Sequence, residues 1–437
     1  MRTGAGVMWV AAGAALVLSL AACGPGSGTG ADPTPVDKAA APARPGLPVP
    51  RGDGSDTPDD FNGDGRRDLV LNDLVKDQAH ADDAGAGIVY GGPDGLAPGA
   101  RQLLSPARQA ARTDGQAPAV FDAETSCDLD GDGFTDLVLS TDPPYDGQGR
   151  PPVPVQVLFG SPQGLTGKAV TLAVPDAARA GNDWPDQPVC GDFDGDGAQD
   201  LVLHASEQQL SYLRGPFTRK GAPRAADAPV PAPGNVPTGP AVDADGDGYD
   251  DLVVRAAAGE GDAFLVPGGP DGPTDAAIAL PPGADAVLGP FGRGAALDAA
   301  IGTESGTALR YDFPDPTRAA LDTPGTRLDT GDFDGDGHAD LVTTDDSGEL
   351  RIFRGGPRGL SPEPAITLTP AARGTSRVLA VGDFDGDERA DLVVRTYRGE
   401  TWDAVAVHPG GARGGPLVAD APAVTFSTAE FLGDSEG

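Results

Sequence analysis

Asp192-Phe193-Asp194-Gly195-Asp196-Gly197-Ala198-Gln199-Asp200-Leu201-Val202 recurs along this chain with small changes. The other copies read DFNGDGRRDLV from Asp60, DLDGDGFTDLV from Asp128, DADGDGYDDLV from Asp243, DFDGDGHADLV from Asp332 and DFDGDERADLV from Asp383. Their starts lie 68, 64, 51, 89 and 51 residues apart. The gap of 89 residues holds an eroded seventh copy, Pro290 to Ile301 (PFGRGAALDAAI), which keeps the aromatic, the glycines and the last Asp but loses the other acids. A fixed motif returning at intervals of this length marks a repeat architecture.

Each copy is followed by a short apolar run ending in a Gly/Pro turn. These are GIVYGGPDGL from Gly87, VQVLFGSPQGL from Val155, LSYLRGP from Leu210, AFLVPGGPDGP from Ala263, LRIFRGGPRGL from Leu350 and VAVHPGGARGG from Val405, with TALRYDF from Thr307 in the eroded unit. One unit reads as four strands. The first is short and precedes the loop, as in Pro188-Val189-Cys190; the second is the Asp-Leu-Val-Leu run, the third the Val-x-Val-x-Phe-Gly run, and the fourth resembles Ala169-Val170-Thr171-Leu172. With 65 Gly, 44 Pro and 5% aromatics among 437 residues, the composition suits many turns joined by short elements. The fold class expected is all-β, a seven-bladed β-propeller of four-stranded blades whose first hairpin loops bind calcium.

Carboxylates at alternate positions of a tight turn converge on one point, and calcium takes six to eight oxygens. Position 1 is Asp60, Asp128, Asp192, Asp243, Asp332 and Asp383; position 3 is Asn62, Asp130, Asp194, Asp245, Asp334 and Asp385. Position 5 is Asp64, Asp132, Asp196, Asp247, Asp336 and Asp387; position 9 is Asp68, Asp136, Asp200, Asp251, Asp340 and Asp391. Position 7 is expected to offer its backbone carbonyl, from Arg66, Phe134, Ala198, Tyr249, His338 and Arg389. Up to six Ca2+ are implied. The glycines at positions 4 and 6 permit the positive φ of a sharp turn, and Glu388, standing where other loops have glycine, predicts a strained last loop. An EF-hand is excluded at position 12, where a bidentate Glu would be required and Leu71, Leu139, Leu203, Val254, Thr343 and Val394 stand instead. Magnesium dehydrates reluctantly and seldom uses all-protein cages.

The phrases Gly191-Asp192-Phe193-Asp194-Gly195-Asp196-Gly197 and Tyr90-Gly91-Gly92-Pro93-Asp94-Gly95-Leu96 resemble the FG-GAP or VCBS repeats of integrin α-subunit propellers and of many bacterial surface proteins. The resemblance covers about residue 60 to the C-terminus and implies a seven-bladed propeller with calcium loops on its lower face. It fixes no ligand, because such propellers serve adhesion, sugar binding and accessory roles to enzymes.

Upstream, Arg2 precedes an apolar run from Val7 to Leu20 and then Leu20-Ala21-Ala22-Cys23, the pattern of a secretory signal too short to span a membrane comfortably. The last four residues resemble a bacterial lipobox, which implies that residues 1–22 are removed and Cys23 is lipidated. Residues 23–58, rich in Gly, Pro and Ala, are expected to be a disordered tether, with the propeller over 59–437. The Arg51-Gly52-Asp53 tripeptide in that tether is taken as a chance occurrence. A formal net charge of −35 argues against nucleic acid and leaves the membrane reachable only through the lipid. Cys127 and Cys190 are a possible disulfide, in an oxidising location but set one and two residues before their loops, so that regular strands would point them apart.

Localisation is therefore expected outside the cell, at the surface and lipid-anchored. The function expected is a monomeric binding or adhesion module for an extracellular protein or glycan. The alternative is a secreted enzyme or accessory subunit acting on polysaccharide. The four histidines, His80, His204, His338 and His408, fall in different units with no nucleophile pattern, so no catalytic residue is assigned. Tyr145, Trp184, Tyr397 and Trp402 fall in stretches expected on the face opposite the calcium loops and are the candidate ligand contacts. Ring closure is expected from APAVTFSTAEFLGD, residues 421–434, pairing into the first blade, which lacks an apolar first strand.

Overall fold

A computed structural model describes residues 44–434 except 77–84, 114, 143–153, 180, 183–184, 207, 257–260, 293, 295 and 371. Among the described residues seven antiparallel sheets follow one another in sequence order, and all but the first, which has three strands, pair first to second, second to third and third to fourth. Blade four shows the pattern: Val236–Val242, Asp251–Arg255, Gly261–Val266 and Ile278–Gly283. The eroded unit forms a complete blade five from Asp285–Gly289, Asp298–Thr303, Gly306–Tyr311 and Thr317–Leu321. In blade three the outer position is shared by Ala225–Ala226 and Val230–Pro231, both on Gln209–Arg214. The first strands of neighbouring blades lie side by side around the axis.

The second strand of each blade, the Asp-Leu-Val run, is buried nearly throughout, as in Asp251–Arg255 and Asp340–Thr344. It is apolar on both faces because each blade packs against one blade before it and one after. The hydrophobic clusters accordingly lie between blades. Phe193, Val202 and Tyr212 of blade three pack with Leu252, Val254 and Val266 of blade four. Position 2 of every loop is the anchor of such a cluster: Phe61, Leu129, Phe193, Ala244, Phe291, Phe333 and Phe384 are all buried, and each joins residues of the following blade. Phe384 of the last blade packs with Leu69 and Leu71 of the first, so the same contact closes the ring.

Blade one departs from four strands. Its sheet contains Leu69–Leu71, Ala86–Val89 and Arg101–Leu104. The chain reaches Asp59, whose carbonyl accepts the Asp68 N–H, from the loop side and not along the axis. The C-terminus does not supply the missing strand. Val424–Phe426 is the fourth strand of blade seven, and Thr428–Asp434 is a 3-10 helix, correcting the expected strand addition. Closure is made by side chains together with a backbone bond, Lys76 N–H donating to Glu400 O at 2.8 Å. Phe431 is buried between blades seven and one, and Asp403 accepts the Thr428 N–H and hydroxyl at 2.9 and 2.7 Å. Arg395 donates to Asp403 and to the Asn72 and Asp73 carbonyls.

The expected tether is also shorter than its boundary. Residues 44–58 lie on the propeller: Leu47 N–H donates to Gly99 O, Gly52 N–H to Asn62 O, Gly54 N–H to Gly63 O and Ser55 N–H to Gly133 O. A side chain at Gly52 would overlap the Gly63 carbonyl, so this glycine serves close backbone approach, and Arg51-Gly52-Asp53 belongs to the folded part. Residues 1–43, with Cys23, lie outside the described residues. Cys127 and Cys190 are disulfide-bonded across 6.4 Å between Cα atoms. The bond joins the first strands of two neighbouring blades, Val120–Cys127 and Val189–Gly191, so alternation along a single strand does not decide their approach.

Candidate metal loops and a cleft on the opposite face

Each Asp-rich loop is held open by its own amides. In the third, Gly195 and Gly197 adopt φ of 69° and 84°. The Asp196 and Gly197 N–H groups then donate to the two oxygens of Asp192 at 3.0 and 2.9 Å, and Ala198 N–H donates to Asp196 at 3.0 Å. Position 9 ties the loop to the rest of its blade. Asp136 accepts Leu129 N–H at 3.0 Å and Gly160 N–H, from the turn after the third strand, at 2.9 Å. Asp68, Asp251, Asp340 and Asp391 repeat both bonds. Asp298 of the eroded unit keeps the arrangement, accepting from Gly292 and Asp312 at 3.1 and 2.9 Å. Its survival beside lost acids thus has a structural cause that needs no ion.

Position 3 behaves differently. One side-chain oxygen of Asn62, Asp130, Asp194 and Asp245, and both of Asp334, are buried without a hydrogen-bond donor. A buried acceptor left so is costly, and five loops repeat it at the same place. Carboxylate oxygens of Asp128, Asp130 and Asp136 lie within 4.8 Å of one another, as do those of Asp192, Asp194 and Asp200, of Asp243, Asp245 and Asp251, of Asp332, Asp334 and Asp336, and of Asp383, Asp385 and Asp391. Without a cation such crowding favours protons. Burial, reinforced by neighbouring acids, pushes Asp136 up to about 8, Asp340 to about 7 and Asp200 to about 6. The donor set is oxygen only, with position-3 oxygens unspent in four of the five clusters, and these clusters fit a hard cation.

In loop one Asn62 stands where the other loops carry an acid. In the structure this loop is the most enclosed: Asp60, Asn62 and Asp68 are buried. Asn62 donates its amide to Pro50 O at 3.1 Å and Ser55 Oγ donates to Asp60 at 2.5 Å, so Asn62 Oδ1 is left facing the acids. An amide there satisfies the covering strap and still presents an oxygen. Glu388 takes φ of 65° and donates its N–H to Asp383, as the strain expected at that position requires.

The loops are also coupled blade to blade. The carbonyl at position 1 accepts an N–H from the next loop, Thr135 to Asp60, Asp250 to Asp192 and Ala390 to Asp332. Arginines distant in sequence reach in as well. Arg219 lies 2.6 Å from Asp130 and also pairs with Asp132, while Arg354 pairs with Asp334. No local motif signals them, since Arg219 and Asp130 are 89 residues apart.

On the other face a cleft of about 510 Å3 opens between blades seven, one and two, lined by Leu74, Val75, Val120, Phe121, Arg377 and Tyr397 among others. Its origin is the missing strand: a second cavity of about 420 Å3 runs between Thr375–Gly382 and Val120–Cys127, where a first strand of blade one would lie, and shares Asp73 and Arg377 with the cleft. Asn72 bridges the gap on one side, donating to Ala123 O at 2.8 Å and accepting its N–H at 2.9 Å. Tyr397 carries the Arg377 guanidinium at 5.6 Å from its ring centre. Trp402 sits in the adjoining hairpin with Arg398 at 4.3 Å and does not line the cleft, while Tyr145, Trp184 and His80 lie outside the described residues. His204 is occupied at both ring nitrogens, by Asp186 at 2.7 Å and Asn235 at 2.9 Å.

Fold and loops together define a seven-bladed propeller of repeated units, and residues 332–394 of it match the FG-GAP-like repeat model. No curated protein matches the sequence. Among solved structures, an Agrocybe aegerita lectin that recognises non-reducing terminal N-acetylglucosamine is similar at 16% identity and a TM-score of 0.40, over 69% of this chain and 74% of that one. BBS1N, solved in complex with ARL6DN, is similar at 13% identity and 0.43, over 84% and 95%. The Pseudomonas aeruginosa periplasmic gluconolactonase PpgL is similar at 13% and 0.43, over 78% and 92%. Likeness at this level says nothing of ligand or activity.

Proposed function

We propose that this protein is a calcium-stabilised binding module, displayed outside the cell by a lipid on Cys23, that takes an extracellular protein or glycan in the cleft between blades seven, one and two. Calcium, up to six ions, is the reading; its support is the unspent position-3 oxygens of five loops, four of them inside all-oxygen clusters. Bound there, the cation supplies charge balance and rigidity; the residues of this chain do the rest. Positions 1 and 9 orient their carboxylates by backbone hydrogen bonds, and position 2 transmits the loop's position into the next blade.

The observation that carries the binding role is the cleft itself. It combines the apolar wall of Leu74, Val75, Val120 and Phe121 with Lys76, Asp122, Arg377 and Glu400 at its rim, the mixture by which small and extended ligands are held and oriented. The test is a glycan and cell-wall binding array run with calcium and with chelator, on the wild-type chain and on Tyr397→Ala and Val120→Asp. Binding that needs calcium and is lost in both variants is the result expected. Binding undiminished in both would place the ligand elsewhere.

A further inference from the structure

The six loops are not electrically alike. In loop two, Arg219 from the turn after the third strand of blade three pairs with Asp130 and Asp132. In loop three, Arg214 lies 3.3 Å from Asp194, and Arg224 pairs with both Asp194 and Asp196. Arg354 pairs with Asp334 in loop six, and Arg389 with Asp387 in loop seven. Loop one has one acid fewer and is covered by residues 50–55.

Loop four stands apart. Asp243, Asp245, Asp247 and Asp251 are joined by Asp250, and among the described residues no arginine or lysine forms an ion pair with any of them. The neighbours explain why. Elsewhere the position-7 side chain of one loop rests on the position-4 glycine of the loop before it, Phe134 on Gly63 and Tyr249 on Gly195. Ala198 is too small to reach Gly131, and Arg219 covers loop two in its place. After loop four comes the eroded unit, whose position 7 is Ala296, and among the described residues a Cβ at Gly246 or Gly248 would meet nothing. Asp245 nevertheless keeps its buried oxygen without a donor.

We propose that calcium fills these loops in order, loop four first, and that arginines hold loops two, three, six and seven back as internal counterions which a cation must displace or tolerate. A guanidinium beside the position-3 and position-5 carboxylates repels an incoming divalent ion and already uses the charge that would bind it. Loop four has the same geometry, and among the described residues it meets none of that opposition. The chain then answers calcium twice: one site at low concentration, and a later group whose filling loosens Arg219 from blade two. This inference rests on the calcium-binding role proposed above.

The experiment is calorimetric calcium titration of the full chain, stripped with chelator and dialysed, for wild type, Asp245→Asn, Arg219→Gln and Arg219→Lys. Wild type should show one tight step before a weaker group, and Asp245→Asn should lose the tight step alone. Arg219→Gln should move one weak site tighter by about threefold to tenfold, while Arg219→Lys, which keeps the charge, should not. Equivalent sites in wild type, or an isotherm unaltered by Arg219→Gln, would overturn the ordering while leaving calcium binding intact. Absence of any calcium binding by the wild-type chain would overturn the calcium role itself, and the ordering with it.

Discussion

Arg395 Nε donates to Asp403 Oδ2 at 3.0 Å, both side chains buried, where the last blade meets the first. The pair is not isolated: Arg395 also holds two carbonyls of blade one, and Asp403 holds the C-terminal 3-10 helix through Thr428. Removing one member leaves the other charged and unpaired in the seam, a loss of about 3 to 5 kcal/mol. Asp403→Ala should therefore lower the denaturation midpoint sharply in urea, with or without calcium. A change within about 0.5 kcal/mol, the range of ordinary surface substitutions, would show that the seam is held by Phe431 and its apolar neighbours alone.

The eroded blade separates structural from metal-binding aspartates. Asp298→Ala strips two amides of their acceptor and should cost roughly 2 kcal/mol, the same in calcium and in chelator. Asp194→Ala, which removes a carboxylate whose buried oxygen has no donor, should be destabilising in calcium and nearly neutral or favourable in chelator. Differential thermal melting of the two variants in both conditions distinguishes them.

Glu388 occupies a left-handed turn that glycine fills in the other loops. Replacing it by glycine relieves a backbone conformation that costs an L-residue about 1 kcal/mol, and the gain should outweigh the extra freedom glycine brings to the unfolded chain. Melting of Glu388→Gly should rise, and an unchanged or lower transition would mean that the Glu388 side chain earns a contact of its own.

Metal-free protein should lose stability as pH rises from about 4 to about 8. Asp136, Asp340 and Asp200 keep their protons in the fold up to about 8, 7 and 6, whereas the unfolded chain releases them near 4. The folded state therefore binds more protons across that window, and stability is full below it and declines through it. Saturating calcium should flatten or reverse the slope. Melting temperatures against pH in the two states measure it, and a metal-free profile rising with pH would contradict the assignment.

What was legible in the sequence is what the repeat writes in fixed positions. Acids at 1, 3, 5 and 9 gave the loop, and the count of copies, including the eroded one, gave seven blades. Position 2 was visible as an aromatic, but not its role, because it packs on the following blade and no local pattern reports that. The strap over residues 44–58 was mistaken for tether since it buries backbone against loop one and carries few apolar side chains. The three-stranded first blade was visible only as a lack of apolar residues before Asp60. Its consequence, a cleft beside Tyr397, depends on where Thr375–Gly382 and Val120–Cys127 stand, which is a matter of assembly. The arginines reaching loops two, three and six come from turns with no signature.

The strap has a mechanical consequence. Its bonds to Gly99, Asn62, Gly63 and Gly133, and the ion pair of Arg44 with Glu430 at 2.8 Å, lie along the chain between residue 43 and the first strand of the ring. Tension arriving from the N-terminal side is therefore shared among several hydrogen bonds and one ion pair before any blade is pulled. Because the strap also covers loop one, a load that has passed Arg44 and Leu47 would next disturb that Asp-rich turn, with the blades behind it still intact.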